Sequence, residues 1–134
     1  MPAFDAIEVG QAMEALDVPI TAALITGGAI ATRDYFPGHI DLEAARALGS
    51  QGVFMNILTT NGLVQRFVQG WSGPHSRLCD LKIKLGAPNY PGDTMRFSGS
   101  VTDKRAPDRT VELSFKGANA MGSHVTGTVR VRFL

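Results

Sequence analysis

Asn56-Ile57-Leu58-Thr59-Thr60-Asn61-Gly62-Leu63-Val64-Gln65-Arg66-Phe67-Val68-Gln69-Gly70-Trp71 is the stretch on which the fold turns. Its apolar residues recur at helical spacing. Ile57, Val64, Val68 and Trp71 lie on one seam, and Leu63 and Phe67 widen it. The residues between them are small or amide-bearing, and Arg66 is the one charged side chain. A helix with so little charge is expected to be largely buried. Asn56 is placed as its N-cap, because a helix start leaves backbone N–H groups that a side-chain oxygen can accept from. Ser72-Gly73-Pro74 ends it.

Beyond this helix the pattern switches to period two. Leu81, Ile83 and Leu85 alternate with Lys82 and Lys84, a half-buried strand over 78–85. A Pro- and Gly-rich loop over 86–92 leads to a second strand over 94–102. A polar turn at 103–108 precedes a third over 110–118, with Val111, Leu113 and Phe115 alternating. A fourth over 124–133 carries Val125, Val129, Val131 and Phe133. Ahead of the long helix, residues 1–19 read as an N-terminal arm: Phe4, Ile7 and Val9 lead to Gly10 as a short strand and turn, and a second extended piece ends at Val18-Pro19. Thr21 caps a helix over 22–32, in which Gly27-Gly28 marks weakness or close approach to a neighbouring backbone or a ligand. Asp41 caps a short helix that ends at Gly49. This order predicts an α+β domain spanning residues 1–134, with an antiparallel sheet wrapped around one long helix.

Composition narrows the function classes. A chain of 134 residues holds one hydrophobic core, and 44% apolar residues argue against disorder. The net charge of +1, without a long basic run, makes nucleic acid an unexpected partner. No apolar run reaches the length of a membrane span, and no signal peptide is visible after Met1. The one cysteine, Cys79, cannot form an internal disulfide, and a cytoplasmic location is the expectation. Three histidines with no Cys/His cluster at ligand spacing give no metal site.

The chemistry concentrates in Thr32-Arg33-Asp34-Tyr35-Phe36-Pro37-Gly38-His39-Ile40-Asp41. Asp34 and His39 sit on either side of a Pro-Gly bend that can bring a carboxylate and an imidazole onto one small volume. One could deprotonate a water that the other orients. Without further context, an Asp and a His beside a turn serve more often as turn or cap residues. Asp41 is better explained as the cap of the helix it begins. His75 reads as solvated, His124 as structural, Arg33 as a cap of the preceding helix, and Lys82 and Lys84 as a solvated strand face.

Asp34-x-x-Pro37-x-His39 resembles the Asp-x-Asn-Pro-x-His signature of MaoC-like, (R)-specific enoyl-CoA hydratases, which have the hotdog fold. Pro91-Gly92-Asp93-Thr94 resembles a turn of the same family, and Asn119-Ala120-Met121-Gly122 before the last strand also fits. The likeness covers the chain from about Thr21 to its end. More closely, Ala31-Thr32-Arg33-Asp34-Tyr35, Asn56-Ile57-Leu58-Thr59, Gly62-Leu63-Val64-Gln65-Arg66 and Trp71-Ser72-Gly73-Pro74 resemble the small MaoC-like subunit of steroid side-chain enoyl-CoA hydratases. That subunit works beside a second MaoC-like chain. Two positions depart: Phe36 stands where the signature has Asn, and Met55-Asn56 where the general hydratases often carry His-Gly.

The resemblance implies hydration of a trans-2-enoyl-CoA, with coenzyme A entering as part of the substrate and no other cofactor. Asp34 and His39 become the catalytic pair that holds one water for syn addition. Backbone N–H groups near Asn56 become the oxyanion site. Tyr35, Met55, Phe67 and Trp71 are assigned to the substrate pocket, with core packing open as the alternative for Tyr35, Phe67 and Trp71. A dimer, homomeric or with a second MaoC-like chain, would bind acyl-CoA across its interface. Two rival functions remain: a hotdog acyl-CoA thioesterase, and a non-catalytic scaffold subunit. Thioesterases of this fold usually carry a carboxylate on or beside the long helix, and residues 56–71 contain none. A scaffold would be free to lose Asp34 and His39.

Overall fold

The computed structural model describes all 134 residues. Its regular elements are β1 (Leu16–Pro19), α1 (Ala22–Ala31), α2 (Leu42–Ala47), α3 (Ile57–Ser72), β2 (Ser76–Leu85), β3 (Thr94–Arg105), β4 (Thr110–Asn119) and β5 (Gly122–Phe133). The strands form one antiparallel sheet in the order β1-β3-β4-β5-β2. α3 lays its buried face against this sheet, the hotdog arrangement that the sequence predicts. Thr21 caps α1 by accepting from the Leu24 N–H at 3.0 Å.

One contiguous core joins helix to sheet. α3 contributes Leu63, Val64, Phe67 and Val68, and the sheet contributes Met95, Phe97, Val101, Leu113, Val129 and others. Phe67 stacks on Phe97 with ring centroids 5.1 Å apart. The seam of α3 differs at both ends from the expected one. Ile57 is 49% exposed and Trp71 only half-buried. Thr59 and Thr60 take the buried positions in the first turns instead. Hydroxyls are tolerated there because each finds a partner: Thr60 meets His124 Nε2 at 2.8 Å, and Thr59 meets Asn56 Oδ1 at 2.6 Å.

The arm also departs from expectation. Residues Phe4–Ala6 form a 3₁₀ turn and no strand. Phe4 and Ile7 are both buried, and a separation of three residues suits one tight turn better than a strand of period two. Val9 is exposed at the turn that follows. β3 runs on to Arg105 through a register shift between Val101 and Asp103, so the polar turn starts later than predicted. Of the polar residues that suggest a turn, Asp103 and Arg105 are exposed on the continuing strand, and Lys104 reaches Ile7 O of the arm at 2.9 Å.

The two sheet edges are unequal. β1 is four residues long and ends in Pro19, which has no N–H to offer a further strand. β2 is ten residues long, pairs only with β5, and keeps Leu78, Leu81 and Ile83 half-buried. No helix is long and apolar enough to cross a membrane.

Gly27 and Gly28 have different reasons to be glycine. A Cβ on Gly27 would meet nothing within 4 Å, whereas one on Gly28 would overlap the Thr59 side chain. The pair therefore marks close packing of α1 on α3 at one residue only. Gly27→Ala should raise stability by up to about 1 kcal/mol through helix propensity. Gly28→Ala should lower it by about 1–3 kcal/mol, because the Thr59 hydroxyl is committed to Asn56 and resists displacement. Urea midpoints of the two variants check this, and equal shifts in the same direction would contradict it.

Candidate active site

Asp34 owes its place to the way α1 ends. Thr32 closes the helix, and Arg33 turns into the left-handed region at φ 55°. That turn lets the Arg33 N–H reach Ile30 O at 3.0 Å and the Asp34 N–H reach Ala29 O at 2.8 Å. This is the bond pair with which glycine commonly ends a helix, made here by an arginine at a cost of roughly 1 kcal/mol. Arg33 thus caps α1 as expected, through its backbone. The backbone of Asp34 is held by the same two bonds.

His39 arrives from the other side of the bend. Residues Pro37–His39 form a 3₁₀ turn whose exit is tied by the Asp41 N–H to Pro37 O at 2.8 Å. The imidazole is 7% exposed and packs edge-on against Phe54 with ring centroids 4.8 Å apart. Its Nδ1 lies 2.6 Å from Phe54 O. A backbone carbonyl can only accept, so Nδ1 carries the hydrogen and Nε2 of the neutral ring offers a lone pair. Nε2 faces Asp34 Oδ2 at 3.3 Å. Asp41 stays outside the pair, accepting from the Glu43 and Ala44 N–H groups at the start of α2.

The Asp34 carboxylate is partly open to solvent and has two fixed donors. Asn56 Nδ2 donates to Oδ2 at 3.0 Å, and the Phe36 N–H donates to Oδ1 at 3.2 Å. These bonds, the amide of Asn56 first, hold its carboxyl below the usual carboxylate range, with nearby His39 adding a smaller pull in the same direction. In the neutral-ring form, Oδ2 and Nε2 are two acceptors facing each other. Such a pair can receive both hydrogens of one water, leaving the water's lone pairs directed outward.

The N-terminus of α3 completes the surroundings. Asn56 caps it by accepting from the Thr59 N–H at 3.0 Å. The N–H groups of Asn56, Ile57 and Leu58 take no partner within the chain. Unpaired N–H groups at a helix start can stabilise negative charge that reaches them; Ile57 and Leu58 are half-exposed, whereas Asn56 is buried.

The remaining predicted positions separate. Tyr35 is 65% exposed, adjoining Asp34 in sequence. Met55 adjoins Asn56 but turns inward, its sulfur 3.6 Å from Asn89 Nδ2. Phe67 belongs to the core stack described above. Trp71 lies about 22 Å along α3 from Asn56 at about 1.5 Å per residue, beside a separate cavity of about 420 Å³ lined also by Met1, Glu14 and Arg66. Phe67 and Trp71 are therefore not brought to the Asp34–His39 pair. A helix seam that is apolar throughout cannot reveal by sequence which end meets the site.

Other residues were not singled out by sequence. Asn89 is fully buried and accepts from Asn119 Nδ2 at 2.9 Å, while its carbonyl accepts from the Met55 N–H at 3.3 Å. It pins the segment before Asn56 to the 86–93 loop. Its one signal was an amide between prolines, and its partners lie some thirty residues away. His124 is structural, as read: Nδ1 donates to Ala87 O at 2.7 Å and Nε2 accepts from Thr60.

Fold and site define an α+β hotdog domain with an Asp34–His39 pair beside a helix N-terminus. A model of the MaoC-like domain matches residues 5–120, and the chain belongs to that family. It is 40% identical over 123 residues to the 3-oxo-4,17-pregnadiene-20-carboxyl-CoA hydratase beta subunit of Mycobacterium tuberculosis, covering 92% of this chain and 94% of that one. It superposes on a chain of the ChsH1-ChsH2 complex from Mycobacterium tuberculosis with a TM-score of 0.90 and 38% identity, covering 95% of this chain and 98% of that one. An (R)-hydratase from A. caviae involved in PHA biosynthesis has the same fold at a TM-score of 0.88 and 21% identity, covering 96% and 98% of the two chains.

Burial pushes the His124 imidazole below its ordinary value of 6.5, outweighing the bond to Ala87 O. The unfolded chain binds a proton there that the folded chain refuses. Stability from this group is full above the unfolded value and is lost as pH falls through the lower, folded one. Urea denaturation from neutral pH down to about pH 5 should show a steeper loss of stability in the wild type than in His124→Gln. Parallel curves would contradict a buried neutral His124.

Proposed function

We propose that this chain is the Asp/His-bearing subunit of an enoyl-CoA hydratase that adds water across a trans-2-enoyl thioester. One observation carries the reading. His39 Nδ1 is committed to Phe54 O, so in the neutral ring its Nε2 and Asp34 Oδ2 converge as two acceptors 3.3 Å apart.

One water gives a hydrogen to each. Its oxygen attacks C3, the O–C3 bond forms, and one O–H bond breaks as that proton passes to Asp34. The C2–C3 π electrons move towards the thioester oxygen. The free N–H groups at the start of α3 meet that charge, a contribution of the order of 3–4 kcal/mol per donor in other enzymes. His39 relays the proton to C2, the thioester carbonyl re-forms, and the pair returns to its starting state. Hydroxyl and hydrogen come from one water on one side of the substrate, so addition is syn. Read backwards, the same steps dehydrate. No cofactor is needed beyond the coenzyme A of the substrate.

The similarity to a steroid-CoA hydratase beta subunit supports a bulky acyl group. The match to a two-chain complex supports assembly with a second MaoC-like chain. β2 supplies a free edge of ten residues for such a partner, whereas β1 does not. The exposed, unpaired Cys79 fits a cytoplasmic setting.

The test is hydration of crotonyl-CoA and of a steroid side-chain enoyl-CoA, by this chain alone and with a second MaoC-like chain. Asp34→Asn and His39→Gln should each lower kcat by about 10²–10⁴-fold while the fold and assembly persist. Near-wild-type turnover in either variant would sink the dyad. Thioester hydrolysis in place of hydration would favour the thioesterase reading.

A further inference from the structure

The side chain of Asn56 does more than cap α3. It is 2% exposed and uses all four of its hydrogen-bonding positions. Oδ1 accepts from the Thr59 N–H at 3.0 Å and from Thr59 Oγ1 at 2.6 Å. Nδ2 donates to Asp34 Oδ2 at 3.0 Å and to Thr32 Oγ1 at 2.9 Å. The orientation of the amide follows from its partners. The backbone N–H of Thr59 can only donate, so the oxygen must face it and the NH₂ must face Asp34. The Thr32 hydroxyl is itself spent on Gly28 O at 2.8 Å, which leaves its lone pair for Asn56. The side chain at position 36, a phenyl ring, has no hydrogen bond to offer Asp34.

We infer that Asn56 is a positioning residue for the proposed hydration. Its amide fixes the Asp34 carboxylate rotamer so that Oδ2 faces His39, while its carbonyl oxygen registers the same carboxylate against the first turn of α3. Water-activating groups and free N–H donors are thereby set at one distance from each other by a single side chain. The role rests on the hydratase reading above. His39 is the one titratable group within ion-pair reach of Asp34. α1 carries no charged residue, and the first turn of α3 carries none. The Asp34 carboxyl is lowered first by the Asn56 amide and next by the Phe36 N–H, with desolvation opposing them and His39 adding the smallest pull.

Asn56→Ser keeps an N-cap oxygen and removes both Nδ2 donors. Asn56→Asp keeps volume and cap and sets a second acceptor against Asp34. In the assembled enzyme with ¹³C-labelled aspartate, the Asp34 carboxyl, assigned with Asp34→Asn, should titrate at higher pH in both variants than in the wild type. kcat should fall roughly 10- to 100-fold with little change in KM, and the acid limb of kcat/KM should move upward with the Asp34 titration. An unmoved Asp34 titration, with activity lost only in proportion to thermal stability, overturns the positioning role and leaves a simple cap. If the wild-type assembly hydrates no enoyl thioester, the function beneath it fails, while the titration shift still reports whether Asn56 controls Asp34.

Discussion

A helix buried against a sheet must still satisfy the N–H groups of its first turn, and much of this structure follows from how α3 does so. Asn56 takes the Thr59 N–H, and its amide then needs an acceptor in a region that excludes most water. The end of α1 provides two: the Thr32 hydroxyl and the Asp34 carboxylate. α1 must therefore stop where it does and approach α3 closely, which Gly28 permits. The left-handed Arg33 converts that stop into a fixed direction for Asp34. A polar requirement of the core and the geometry of the candidate site are met by one set of bonds.

The second support runs through the far side of the same turn. Asn56 O accepts from the Thr60 N–H, the Thr60 hydroxyl donates to His124 Nε2 on β5, and His124 Nδ1 donates to Ala87 O in the 86–93 loop. Asn89 of that loop returns to the Met55 N–H. The polar circuit is closed around the start of α3, and each member is largely buried. Buried circuits of this kind resist partial disruption, because removing one partner leaves another unsatisfied at about 1–3 kcal/mol. The neutral state of His124 belongs to this economy: charging it would add a second hydrogen where Thr60 should donate.

Period and capping made the framework legible in the sequence. The alternation over 78–85 and 124–133, the apolar seam of α3, and caps at Thr21, Asp41 and Asn56 are local signals, and each reappears in the fold. Asp34 and His39 were legible as a pair because a bend joins them within a few residues. The failures are tertiary. Phe4 and Ile7 could not be told from strand residues without the core they face. Phe67 and Trp71 share a seam with residues near the site, but helix rise carries them away from it. The amide link from Asn56 to Asp34 spans elements 22 residues apart and has no sequence signature, since capping already accounted for the asparagine. The departures of Phe36 and Asn56 from the general hydratase pattern look independent in sequence, yet in space they are neighbours of one carboxylate.

Under the hydratase reading, the arrangement poses an energetic tension. Donors that hold Asp34 below the usual carboxylate range keep it ionised and correctly aimed, but they also make it a weaker base. Proton transfer from water to such a group is uphill unless the partner reaction draws it forward. That pull must come from the electrons leaving the C2–C3 bond, and hence from the N–H groups of Asn56, Ile57 and Leu58 that receive charge at the thioester oxygen. Transfer onward to His39 lowers the cost further, because an imidazolium beside the Asp34 carboxylate forms a hydrogen-bonded ion pair. A weak base, a relay and an anion-stabilising helix start are thus interdependent, and the side chain of Asn56 touches the first while its backbone belongs to the last.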